Sequence, residues 1–171
     1  MYIPVVFLLP GYYISSMKIR RALPGDAEQI QRLMQKVWLD TYPNEEFGIT
    51  KESIAKFVKD WDSRKQVQLM YKNIESKRPN TEHLVAVVDD KIVANMIVVN
   101  NILRQLYINP SYQYQGIGSK MLRRVMVDSL EVAKYNLTAV NFYKKHGFII
   151  TEESVEEFGD LKLPTYIMKR P

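Results

Sequence analysis

Residues 109–122 read NPSYQYQGIGSKML, and this stretch decides how the chain is read. The chain has only seven glycines, yet Gly116 and Gly118 stand two apart, just after the apolar run ILRQLYI and just before a helix-like run. Glycine inside an element loses conformational freedom on folding, so such a pair calls for a backbone reason: a positive φ, or close approach of another group to the main chain. A strand ending in a glycine turn that opens a helix gathers backbone N–H groups pointing one way, with the positive end of the helix dipole behind them. Phosphates bind at such places. The dinucleotide fingerprint G-x-G-x-x-G does not fit, because Met121 stands where its third glycine belongs. The P-loop does not fit either, because Gln113 occupies the position of its first glycine.

Outward from this stretch the pattern changes period. Upstream, HLVAVVDDKIVANMIVV is two β-branched runs around Asp89 and Asp90, which predicts a β-hairpin, and ILRQLYI predicts a third strand. Further upstream, KIRRA reads as a strand and LPGD as a turn ending in a helix N-cap at Asp26. Ile30, Leu33, Met34, Val37 and Trp38 recur at three- and four-residue steps, marking an amphipathic helix from Ala27 to about Thr41, with Trp38 on its core stripe. A second helix begins at ITKESIAKFVKDW, with Thr50 or Ser53 as its cap, and continues in polar form towards Lys72. Downstream, a helix from about Gly118 to Val127 precedes a short strand at SLEVAKYN. LTAVNFYKKHG then predicts a helix stopped by Gly147, and strands follow at FIITEE and PTYIMKR. This order predicts an α/β fold: one domain over 17–171, with helices packed on a mixed sheet.

Composition narrows the function classes. At 171 residues and 46% apolar content the chain suits one packed core. It has no cysteine, which removes disulfides, thiolate metal sites and a cysteine nucleophile, and fits a cytoplasmic setting. His83 and His146 are the only histidines and lack zinc-site spacing, so no metal is expected. The net charge of +5 points to an anionic partner. Lysines and arginines are scattered, however, and no reader helix is present, so nucleic acid is not the expected one. Residues 1–16, MYIPVVFLLPGYYISS, read as an N-terminal extension from a start assigned upstream of Met17, with a membrane-associating tail as the other reading. The apolar run is too short to span a bilayer, so no membrane partner is expected.

Gln113-Tyr114-Gln115-Gly116-Ile117-Gly118 resembles the Q/R-x-x-G-x-G/A pattern of the GNAT superfamily of N-acetyltransferases. A second block, NLTAVNFYKKHGF from Asn136 to Phe148, is similar to that family's N-x-x-A-x-x-F-Y-x-K-x-G-F segment. The resemblance covers roughly Met17 to the C-terminus. It implies a GNAT-like acyl-CoA N-acyltransferase fold with a mostly antiparallel sheet, an acetyl-CoA donor with CoA as product, and a small-molecule or peptide amine as acceptor. A homodimer is the implied assembly.

Carried over residue by residue, the resemblance places the N–H of Leu106 against the acetyl carbonyl and pairs Ile108 with pantetheine. Tyr107 and Tyr114 flank the cofactor. The amides of Gln113, Tyr114, Gln115, Gly116, Ile117, Gly118 and Ser119 cradle the pyrophosphate. Asn136 contacts the cofactor from the next strand end, and Tyr143 gives a proton to the departing thiolate. A phenol suits that task, since its reference pKa near ~10 keeps it protonated at neutral pH. Lys120, Arg123 and Arg124 follow the loop and are placed to reach the CoA phosphates, whereas His146 is expected to serve the end of its helix.

Two departures accompany the resemblance. Many members carry a glutamate four residues before the position of Leu106, and here that residue is Ile102; Glu45 and Glu46 are the substitute bases considered. Only about ten residues separate Gly118 from the strand at SLEV, so either the loop is minimal or the helix is cut short. These departures motivate the alternative of a catalytically weak or inactive acyl-CoA-binding or sensing module.

Overall fold

Strand alternation in the middle of the chain sets the layers. In β2 (Thr81–Val88), Leu84, Ala86 and Val88 turn to one core cluster and Val85 to another, so the strand is buried on both faces and needs cover on both. The computed structural model describes residues 17–171, so the expected extension at 1–16 lies outside the described residues. β2 returns as β3 (Lys91–Val99) through Asp89 and Asp90, at φ 48° and 60°. β3 returns as β4 (Ile102–Ile108) through Asn100 and Asn101, at φ 50° and 61°. Paired left-handed residues match the twist of a tight hairpin, and aspartate and asparagine tolerate them.

With β1 (Lys18–Arg21), β5 (Ser129–Ala133), β6 (Ile149–Phe158) and β7 (Leu161–Lys169), the seven strands form one sheet in the order β1-β2-β3-β4-β5-β7-β6. Every neighbouring pair is antiparallel except β4 and β5. The mixed, mostly antiparallel sheet flanked by helices is the architecture expected.

On one face, α1 (Ala27–Thr41) buries Ile30, Leu33, Met34 and Val37 with Met70 and Ile74 of α3 (Arg64–Glu75) against Val85 and Ile92. Near its end, Trp38 joins Ile54 and Val58 of α2 (Lys51–Val58) to Leu161 and Leu163 of β7. On the other face, α4 (Ile117–Leu122) and α5 (Leu137–Lys145) place Met121, Leu122, Val140 and Tyr143 on the sheet.

Three local expectations are corrected and one choice between caps is decided. The polar helix expected to run from residue 50 towards Lys72 is two helices, because Ser63 caps a second one by accepting the Gln66 N–H at 3.4 Å. Thr50, not Ser53, caps the first, at 3.1 Å from the Ser53 N–H. Asp26 does not cap α1: its carboxylate takes the Arg20 guanidinium at 2.6 and 2.9 Å and the Leu23 N–H at 2.7 Å, closing the turn between β1 and α1. α4 stops at Leu122 rather than Val127, a length of ~9 Å. The N–H groups of Arg123 and Arg124 fold back onto Ser119 and Met121, and Asp128 bonds Asn101 at 2.8 Å, which seats β5 beside the start of β4.

Candidate active site

β4 and β5 pair at Ile102 with Ser129 and Leu103 with Leu130, and then part. β4 continues along β3, with Met96 opposite Leu106 and Ala94 opposite Ile108, while β5 follows β7. The parting begins at a bulge: Val98 pairs with Leu103 and Ile97 with Gln105, leaving Arg104 over. The N–H of Asn109 bonds Val93 at 2.9 Å, so the N–H groups of odd-numbered neighbours face β3. By strand alternation, those of Leu106 and Ile108 point into the gap, where no strand receives them.

The loop after β4 supplies more unused donors. Asn109 accepts the Ser111 N–H at 3.1 Å and starts a tight turn in which Tyr112 bonds the Asn109 carbonyl and Gln113 the Pro110 carbonyl. The Gln113 amide is therefore engaged, and its side chain holds the Ile108 carbonyl at 3.3 Å. From Tyr114 to Ser119 the N–H groups have no acceptor among the described residues. Tyr114 and Gly116 bend the run with φ of 62° and 76°. Consecutive inward N–H groups in such a bend form an anion-binding concavity.

The two glycines meet different demands. Gly116 has the positive φ, and a side chain there would meet nothing within 4 Å. Gly118 has no positive φ; a Cβ there would lie 3.1 Å from both Ile108 Cδ1 and Phe142 Cζ. One is needed for the turn, the other for the seating of α4 against β4 and α5.

Gap and loop open into one cleft of about 1340 Å³. Leu106, Tyr107, Ile108, Gln113, Tyr114, Gly116, Ile117, Gly118, Ser119, Asn136 and Tyr143 all border it. Gln115 does not: its side chain folds back on the Ser111 carbonyl at 3.3 Å. The Asn136 side-chain oxygen accepts the Ala139 N–H at 3.1 Å, so it caps α5 and leaves its amide NH2 for the cleft. Tyr143 is buried, and burial with the nearby Tyr107 holds its pKa above the usual phenol value. His146 shares a 2.8 Å hydrogen bond with the Phe142 carbonyl at the end of α5. Lys120, Arg123 and Arg124 turn away from the cleft and line a separate hollow with Met17 and Ile19.

The deeper half of the cleft is aromatic. Trp38 stacks on Tyr42 at 4.2 Å and meets Phe57, Trp61 and Phe158 at 5.2 to 5.3 Å. The Trp38 indole N–H donates to the Tyr107 hydroxyl at 3.0 Å, which places the Tyr107 side chain here rather than along the loop. Tyr135 donates to the Tyr42 carbonyl at 3.0 Å and stacks on Phe47, tying the end of α1 to the end of β5.

Glu45 and Glu46 sit exposed on a turn outside this cleft; the carboxylates lining it are Asp40, Glu131 and Glu156. Burial and the neighbouring Glu131 raise the pKa of Glu156, against the opposing pull of Arg104. Glu131 accepts the Thr165 hydroxyl. The reading of the sequence missed both glutamates, which reach the cleft from the two strands beside β7: Glu131 is opposite Ile167, and Glu156 opposite Leu163. One clue was available in SLEVA, where Glu131 alternates with the core residues Leu130 and Val132.

The sequence profile of the acetyltransferase (GNAT) domain matches residues 79–150. That stretch is similar to a GNAT acetyltransferase domain. The matched stretch holds β4, the loop, α4 and α5, and so both walls of the gap. Over 91 residues the chain is 34% identical to the peptidyl-lysine N-acetyltransferase YjaB of Salmonella typhimurium, an alignment spanning 50% of this chain and 61% of that protein. Two solved structures share the GNAT fold. One is a GNAT-family acetyltransferase from Streptococcus pneumoniae, with TM-score 0.66 and 21% identity over 90% of this chain and 97% of that one. The other is the PaiA N-acetyltransferase of Thermoplasma acidophilum in complex with coenzyme A, with TM-score 0.66 and 20% identity over 91% and 98%. Among the described residues, no helix is long and apolar enough to cross a membrane, and no cluster of three metal-ligating side chains occurs.

Proposed function

We propose that the protein is an acetyl-CoA-dependent N-acetyltransferase acting on a primary amine by direct attack on the thioester. The observation that carries this reading is a single line of unused donors: the N–H groups of Leu106 and Ile108 in the strand gap, followed by those of residues 114–119. Acetyl-CoA fits that line chemically, since pantetheine carries amides for a strand edge and the pyrophosphate carries charge for a concavity of N–H groups. When bound, it supplies an electrophilic thioester carbon.

The chain's own groups do the rest. The Ile108 N–H pairs with the pantetheine arm. The Leu106 N–H donates to the acetyl oxygen and stabilises the negative charge that develops there, a task for which a fixed main-chain donor needs no reorganisation. Tyr143 gives its proton to the departing sulfur. Burial keeps that proton on the phenol, and the same dry surroundings disfavour a thiolate, so donor and acceptor rise together. Neither cysteine nor histidine is needed for direct attack.

Calorimetric titration with acetyl-CoA tests the reading. Micromolar binding is expected, and Gly116→Val, which forces a β-branched residue to a φ of 76°, is expected to abolish it while the fold persists. Absence of binding by the folded, unaltered chain would remove the reading. Binding without thiol release across an amine panel would leave an acyl-CoA-binding module instead.

A further inference from the structure

We infer that the deeper half of the cleft receives a single ammonium group on an apolar stem, and that Glu156 is the group that takes its proton. This rests on the acetyltransferase reading above.

Charge is the first argument. Glu131 and Glu156 reach the cleft from β5 and β6, on either side of β7, and the Thr165 hydroxyl holds Glu131 in place. Among the described residues, the cations lining the cleft are Arg104 and Lys145, and it is Arg104, at the bulge where β4 leaves β5, that acts on Glu156. Asp40 also borders the cleft but is matched by Lys36 at 2.9 Å, and Lys145 lies at the far end of α5. Two carboxylates against one guanidinium leave a single negative charge to be met.

The second argument is the wall. Tyr42, Phe57, Trp61 and Phe158 line the same cleft with a connected aromatic surface, which favours one cation and an apolar stem. A second ammonium pressed against the same wall would lose its hydration without gaining a partner. Position is the third argument. Tyr143 and Glu156 both line the cleft into which the Tyr107 hydroxyl, held by the Trp38 indole N–H, also faces, so the acid and the base open onto one space. Glu156 thus supplies the function that Ile102 cannot.

The proton balance closes. Glu156 takes one proton from the ammonium; the freed lone pair forms the C–N bond while the C–S bond breaks, and sulfur keeps that bonding pair and takes the Tyr143 proton. The second nitrogen proton restores the phenol through water, and Glu156 returns its proton to solvent.

The test measures thiol release by the full chain at saturating acetyl-CoA, with 2-phenylethylamine, Nα-acetyl-lysine amide and spermidine. At least one of the two monocationic amines is expected to exceed spermidine in kcat/KM by about tenfold or more, and comparing those two distinguishes a free amine from a lysine side chain. Glu156→Gln is expected to lower kcat with the better amine by about tenfold or more. Acetyl-CoA affinity should be unchanged, and the residual rate should climb with pH as free amine accumulates. A smaller fall, equal or better use of spermidine, or no turnover of any amine by protein that binds acetyl-CoA would overturn the inference and leave the cofactor site standing. Failure of the unaltered chain to bind acetyl-CoA would overturn both.

Discussion

Gly118 shows how much one missing methyl group can decide. Its Cα faces Ile108 and Phe142 so closely that an added Cβ must push both aside by a few tenths of an ångström. Gly118→Ala should therefore cost about 1–3 kcal/mol in urea unfolding. Because Ile108 belongs to the strand edge in the gap, the variant should weaken acetyl-CoA binding as well. An unchanged midpoint would show that Phe142 yields freely. At Tyr143 the expectation is different. Tyr143→Phe keeps the packing against Phe148 and removes only the hydroxyl, so kcat should fall by roughly tenfold or more while acetyl-CoA affinity barely moves. A loss of affinity with kcat intact would assign the residue to binding. The glycine pair was conspicuous in the sequence, but its division of labour was not, because the contact that excludes a side chain at 118 comes from a helix beyond the next strand.

Among the elements, the turn between β1 and α1 carries the clearest pH signature. Burial alone would raise the pKa of Asp26, but the Arg20 guanidinium, the Leu23 N–H and His83 outweigh it and hold the carboxyl below its ordinary value. A depressed carboxylate pKa contributes stability above the unfolded value near ~3.9 and loses it as pH falls through the folded one. Asp26→Asn should thus cost about 1–3 kcal/mol at neutral pH, and the gap between variant and parent should close below about pH 4. A gap that persists in acid would mean that packing, not charge, is what the substitution disturbs. Caps that act on adjacent backbone were legible in advance, as at Thr50 and at Gly147 after α5. Asp26 was not, since an aspartate before a helix looks like a cap until a guanidinium from the preceding strand claims it. The break before α3 was hidden for a related reason: its polar sequence offers little apolar period, and Ser63 is the only local sign.

Across the whole molecule, the sheet is continuous at one end of β4 and open at the other. Hydrogen exchange should report this directly. In the free protein the amides of Leu106 and Ile108 should exchange quickly, while that of Asn109, bonded to Val93, is protected; acetyl-CoA should slow the first two selectively. Uniform protection along β4 in the free protein would mean that the gap is closed in solution. The order of strands and helices could be read from periodicity. The insertion of β7 between β5 and β6 could not, and with it went the bringing of Glu131 and Glu156 to one cleft.

The two halves of the cleft also draw unequally on the chain. Its strand edge, loop and buried phenol lie between Ile102 and Tyr143, whereas Trp38, Tyr42, Phe57, Trp61, Glu156 and Phe158 come from α1, from α2 and the turn after it, and from β6, on either side of that stretch. Under the proposed function, a lineage that alters only these flanking segments could reshape most of the aromatic wall, and with it the choice of amine, while Arg104, Tyr107 and Glu131 stay fixed in the inner segment.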